Sequence, residues 1–366
     1  MRILIAGSQR QRGFSIVELM VAIVISLIAT LVIFETFAVS EGIKRTSTSG
    51  GDAQQNGAMA LYMVEREVRM AGYGINNPAL LGCTINAYDE EATPAEFQFT
   101  IAPVVIEPGA TEKDPDTLVI LIGDSDLLAD PAKLIQGMPS PAATYKVDNR
   151  YGFNPGDLVI AAEPGKECTL AQVTEVPGTP GQTSNVIHNS GNFTNPQGQN
   201  VPARYNKAGG LGISYSTAGM LYNLGQLPQR NEYRIQDNRL VIERSLINLD
   251  TNVVAEQIVQ LKAEYGKDDG GGGGTANDGI VDSYSNAAPV GADGWRQVLA
   301  VRLAMVARSA QPEKPIEDGG ACDITAAFPT WAGGDIDVSA DDNWQCYRYR
   351  VFETVVPLRN LIWMQI

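Results

Sequence analysis

Arg12-Gly13-Phe14-Ser15-Ile16-Val17-Glu18-Leu19-Met20 leads into an apolar run that continues to about Val39. Phe14 to Val39 is roughly 26 residues, or about 39 Å as a helix, against a hydrocarbon core of about 30 Å. The run predicts a helix that crosses a membrane and projects beyond it, with Glu35 near the far interface. Glu18 places a lone carboxylate near its start. Burying an unpaired charge in hydrocarbon is costly, so a membrane segment that carries one is expected to have a partner for it. Upstream, residues 1 to 13 hold Arg2, Arg10 and Arg12 and no acid, a short basic leader of the kind that stays on the cytoplasmic side. The main apolar core follows Gly13, so a cut there would leave the hydrophobic segment on the mature chain. An ordinary secretory signal does the reverse.

Glycine, aromatic, acid and apolar run in this register, Gly13-Phe14-Ser15-Ile16-Val17-Glu18-Leu19-Met20, resemble the class III signal of type IV prepilins. The resemblance implies that a prepilin peptidase cuts between Gly13 and Phe14 and methylates the new amine on Phe14. It also implies that Glu18 is the family's acid just inside the mature N-terminus. With parallel helices, the carboxylate of one subunit can neutralise the N-terminal amine of the next and set the axial register. Breaking such a buried pair costs about 3–5 kcal/mol. A single-pass anchor with an interfacial glutamate is the plainer reading, and it leaves the leader and the glycine unexplained.

Beyond the membrane segment (14–39), helical spacing returns at Ala58, Leu61, Val64, Val68 and Ala71 and stops near Gly72-Tyr73-Gly74. Residues 40–74 therefore read as the second half of the helix, with an apolar stripe for a globular domain. Gly42 and Gly50-Gly51 each weaken a helix by about 1 kcal/mol relative to alanine, which suggests an interruption between Ser40 and Gln54. About 290 residues follow, enough for one large core or two small ones. We assign 75–366 to this β-rich domain, with a subdivision near 235 left open. Apolar β-type runs recur at Thr117–Ile122, Asp157–Ala162, Arg239–Arg244, Gln297–Ala307 and Tyr347–Val356. In the fourth, Val301, Leu303, Met305 and Ala307 share one face, opposite Arg302 and Arg308. A short helical pattern is read at Val253-Val254-Gln257-Ile258-Leu261, and long loops at 174–212 and 266–294. The fold class is α+β: a long N-terminal helix laid over antiparallel sheet.

Losing the three arginines of the leader takes the formal charge from −15 to −18. That acidity opposes direct nucleic-acid binding, which needs clustered Lys and Arg. The four cysteines, Cys83, Cys168, Cys322 and Cys346, all follow the membrane segment. An even number in an exported domain suggests two disulfides. Three pairings exist, and Cys83 with Cys168 and Cys322 with Cys346 is favoured, the latter closing a poorly patterned, Asp-rich stretch.

Gln260-Leu261-Lys262-Ala263-Glu264-Tyr265-Gly266, then Asn277-Asp278-Gly279-Ile280-Val281-Asp282, Trp295-Arg296-Gln297-Val298 and Val301-Arg302-Leu303 are similar to PilW-type minor pilins. The ending from Tyr347 to Asn360 strengthens the resemblance; residues 85 to 235 match nothing. It implies a low-abundance subunit held in the inner membrane with its C-terminal domain in the periplasm, later at the pilus tip. Its implied partners are other minor pilins and the major pilin through the N-terminal helix, the peptidase, and a PilY-like tip adhesin. The family is also similar to J-type pseudopilins, which leaves an initiating pseudopilin of type II secretion as the alternative. A membrane-anchored adhesive or ligand-binding module, using 85 to 235, is a further one.

Asp278-Gly279-Ile280-Val281-Asp282 looks like the latter part of a calcium loop, where alternating acids wrap a hard cation. Asp268 and Asp269 would have to fold back as the remaining ligands, because Ala276 and Gly274 occupy the earlier ligand positions. The competing reading is a flexible acidic loop, favoured by five consecutive glycines. Enzyme readings find little support. The single histidine, His188, reads as an exposed loop residue, Gly165-Lys166 lacks the rest of a phosphate loop, and Gly209-Gly210-Leu211-Gly212 is too sparse for a dinucleotide fingerprint. An exported hydrolase is the remotest hypothesis.

Overall fold

The structure is a computed structural model that describes residues 13–75, 77–125, 131–178, 184–247, 250–313, 315 and 320–363. The leader residues 1–12, with their three arginines, lie outside that set. The apolar run and the segment after it form one helix, Ile16–Met70. The interruption expected between Ser40 and Gln54 does not occur. Helix propagation adds a hydrogen bond for every residue fixed, and the roughly 1 kcal/mol that each of Gly42, Gly50 and Gly51 costs is not enough to stop it. By its contacts the chain divides into a unit ending at Gly51 and one beginning at Asp52.

In the first unit, the side chains from Ile16 to Val39 are exposed and, apart from Glu18, Ser26, Thr30, Glu35 and Thr36, apolar. In the second, Ala53, Gly57, Ala60, Val64, Glu67 and Val68 are buried at helical spacing, the stripe that packs on sheet. Gly57 is the tightest point: a Cβ there would lie 2.1 Å from the ring of Phe352, so only glycine lets that ring rest on the helix.

Three larger sheets and two small hairpins follow among the described residues. An eight-stranded sheet has Leu158–Ala162 near its middle, flanked by Cys168–Gln172 and Met220–Gly225. A five-stranded sheet runs in the order Asp250–Glu256, Arg239–Arg244, Gln229–Gln236, Thr117–Ile122, Val104–Glu107, all antiparallel. A four-stranded sheet carries Ser283–Ser285, Ile258–Lys267, Val298–Arg308 and Tyr349–Pro357. Pairing is antiparallel except where Ile85 and Asn86 lie parallel to Cys168 and Thr169.

One large core joins the helix stripe to all three sheets, through Val64, Val68, Ile85, Leu118, Leu158, Tyr233, Leu261 and Leu303. Burying a side chain of this size contributes about 1.5–3 kcal/mol. The subdivision left open near 235 is not found. Ile235 sits inside the strand Gln229–Gln236, which is paired on both edges, so the sheet is continuous there. The helical pattern at Val253–Leu261 is also corrected. Asp250–Glu256 and Ile258–Lys267 are strands joined at Gln257, which adopts a positive φ of 59°. Val253, Val254 and Ile258 are β-branched and suit a pleated sheet better than a helix. The loops at 174–212 and 266–294 contain short strands, Asn192–Thr194 and Ser283–Ser285 among them.

Val298–Arg308 is buried on both faces. Val301, Leu303, Met305 and Ala307 face the large core, as their alternation predicts, while Ala304 and Val306 meet a smaller core with Ile336 and Val338. The arginines on that second face are absorbed. Arg302 pairs with Glu264 and packs its guanidinium over Tyr284 and Trp331. Arg308 bonds Asp341 at 2.6 Å. Burial works against the charge on Asp341, but the Asn343 N–H and Arg308 outweigh it and hold the carboxyl below its usual range.

Candidate assembly site

Gly13, Phe14 and Ser15 precede the helix in irregular backbone, and Phe14 is 86 % exposed. The Leu19 N–H donates to the Ser15 carbonyl at 3.1 Å, which makes Ser15 the cap of the first turn. The Ser15 hydroxyl accepts from the Val17 N–H at 3.3 Å, and Glu18 Oε2 accepts from the Ser15 N–H at 3.0 Å. Ser15 and Glu18 thus close a capping box, satisfying two of the amides that a helix start leaves orphaned. A carboxylate in the first turn is also favoured by the helix dipole. The Ser-x-x-Glu signal for this box is plain in the sequence, and a reading centred on Glu18 as a bare charge misses it.

The other end of the helix is closed by a residue from the far end of the chain. Asn360 Nδ2 donates to the carbonyls of Met70 and Ala71 at 3.2 and 3.0 Å, occupying acceptors that a helix terminus leaves open. Between the ends, Glu67 accepts from Asn231 Nδ2 at 2.8 Å in the buried contact between helix and sheet. Neither partner is foreseeable from sequence, since each lies more than a hundred residues from the helix it serves.

The Gly/Asp loop is ordered by its own carboxylates. Asp268, almost fully buried, accepts from the Asp278 and Gly279 amides at 3.3 and 2.7 Å. Asp282 accepts from the Gly270 amide at 2.6 Å, and Asp278 from that of Ile280 at 2.9 Å. The Gly271 amide and the Ser283 hydroxyl hold the Asp269 carboxyl below its usual range. The four acids of the calcium reading are therefore turned toward separate N–H and O–H donors. Among the described residues no three His, Cys, Asp or Glu groups are placed to hold a metal ion. The glycine run is not simply slack either: a Cβ on Gly274 would lie 1.7 Å from Asp282 Oδ1.

Cys83 is bonded to Cys168 and Cys322 to Cys346. The first bridge ties the start of one strand to its parallel neighbour, and the second staples the segment that covers the smaller core. His188 is not an exposed loop residue: it is half-buried, stacked on Tyr145 at 4.3 Å, with Nε2 on the Ala143 carbonyl at 2.9 Å.

Two family models match the chain. One describes a prokaryotic N-terminal methylation motif and covers residues 8–34; the other describes type IV pilus-assembly protein W and covers residues 238–360. Comparison with curated proteins and with solved structures gives no match. The second region begins at the strand Arg239–Arg244 and ends on Asn360, which caps the long helix. Both matched families are structural pilus components rather than enzymes.

Proposed function

We propose that this chain, a PilW-type minor pilin of type IV pilus assembly, enters the fibre through a contact between its Glu18 and the N-terminal amine of a neighbouring subunit. The observation that carries the reading is the placement of Glu18 in the first turn of a 55-residue helix, directly after the irregular Gly13-Phe14-Ser15 segment. In this reading the peptidase cuts between Gly13 and Phe14 and methylates Phe14. The exposed apolar helix holds the subunit in the inner membrane, with the domain from Asp52 in the periplasm, until assembly.

The capping box gives the waiting subunit a local partner for its carboxylate. An amide N–H is a neutral donor, and an ammonium a charged one that forms the stronger bond. Exchange of the first for the second favours assembly, and loss of one partner from the resulting pair would cost about 3–5 kcal/mol. Once assembled, the subunit sits with other minor pilins at the tip, where it primes growth from the major pilin and supports a PilY-like adhesin.

Glu18→Ala tests the reading in cells. We expect normal removal of residues 1–13 and loss of the subunit from sheared fibres, with reduced piliation. Full incorporation of the processed variant would end the role given to Glu18. Wild-type protein that keeps its leader in the membrane would end the prepilin reading itself.

A further inference from the structure

The region between residues 85 and 235 lies outside both family matches, and it borders a cavity of about 380 Å³ beside the Cys83–Cys168 bridge. That volume falls in the range of small-molecule sites, about 300–1,000 Å³. Its walls include Leu80, Leu81 and Ala162, all nearly fully buried, together with Met220, Tyr222 and the disulfide. The charged groups that line it are already committed. Glu163 binds Lys166 at 2.9 Å and takes both the amide and the hydroxyl of Ser216; Lys166 also donates to the Ser214 carbonyl; Glu167 accepts from Asn86.

Tyr222 is the exception. It is 3 % exposed, and among the described residues its hydroxyl donates to the thioether of Met220 alone, at 3.4 Å. A thioether is a weak acceptor, and a buried hydroxyl normally finds a better one. A cavity with largely apolar walls and one under-used buried donor selects an uncharged molecule with an apolar side and a strong acceptor. An anionic ligand would meet an excess of carboxylate, because the lining sets Glu163 and Glu167 against Lys166 alone, and the Tyr222 hydroxyl offers a cation no charge.

We infer that this cavity binds a neutral, apolar molecule about the size of a capped amino acid, whose amide or ester carbonyl accepts the Tyr222 hydroxyl in place of the Met220 sulfur. The inference is independent of the role given to Glu18. The probe is N-acetyl-leucine amide, titrated against the full chain in lipid nanodiscs by saturation-transfer NMR, with empty nanodiscs subtracted. Nanodiscs avoid detergent, which would compete for apolar walls. We expect saturable binding by the wild type and about tenfold weaker binding by Tyr222→Phe, the size of one net hydrogen bond. Ala162→Leu, which adds bulk at a buried wall position, should abolish binding in a chain that stays folded with a melting temperature lowered by overpacking. Absence of saturable binding by the wild type would overturn the inference. So would equal affinity in Tyr222→Phe, or undiminished binding in a folded Ala162→Leu variant.

Discussion

Glu67 places a carboxylate on the buried stripe of a helix that is otherwise small and apolar, and Asn231, 1 % exposed, meets it from the sheet. Asn231 Nδ2 also reaches Gln229 Oε1 at 3.3 Å, so Glu67→Ala leaves one of the amide's two N–H groups without an acceptor and should destabilise the protein by about 1–3 kcal/mol in denaturant melts. Glu67→Gln keeps an acceptor and should lose less. His188 supplies the pH-sensitive counterpart. Burial, opposed by the bond to the Ala143 carbonyl, pushes its imidazole below the ordinary value of 6.5. The unfolded chain then binds the proton more readily than the folded one, so this contribution is full above that value and is lost as pH falls through the folded one. Between about pH 7 and pH 5 the wild-type melting temperature should drop, and His188→Phe, which keeps the stack on Tyr145 but cannot titrate near neutrality, should flatten that drop. Glu18 was legible as part of the methylation motif because its register with Gly13 and Phe14 is local. The roles of Glu67 and His188 were not legible, because what surrounds them comes from distant strands.

Among the elements, the long helix was legible in its period and misjudged in its continuity. Its glycines look like breaks when counted singly, yet Gly57 is a packing device. With the Phe352 ring so close to where a Cβ would stand, Gly57→Ala should cost about 1–3 kcal/mol through overpacking, and Phe352→Leu should recover part of it. A double-mutant cycle in denaturant measures this. Purely additive losses would mean that the ring swings clear and that helix and sheet are not locked there. The strands followed alternation wherever one face met the core, as in Val298–Arg308. Alternation failed at Val253–Leu261, where two strands of different sheets meet at Gln257 and a chance helical spacing spans the junction. In the Gly/Asp loop, the acids whose spacing suggests a cation each accept from at least one of the loop's own amides.

On the scale of the whole molecule, the α+β class followed from one helical run and several β-rich runs. The arrangement of three sheets around a shared core did not, because its registers are set by pairings such as Gln229–Gln236 with Thr117–Ile122 across more than a hundred residues. That core draws on the helix only from Ala53 onward, and the division into units falls at the same place, between Gly51 and Asp52. A chain beginning at Asp52 therefore keeps every buried residue of the stripe, both disulfides and the Asn360 contact with Met70 and Ala71. What it loses is the exposed apolar segment and about three flanking turns of helix, residues 40–51. We expect such a chain to be soluble without lipid. It should lose less than about 1 kcal/mol, or about 2–4 °C in melting temperature, relative to the full chain in nanodiscs. A fall of more than about 10 °C, several kcal/mol on the same scale, would mean that residues before Asp52 stabilise the sheet domain. Aggregation on removal of the helix would show the same.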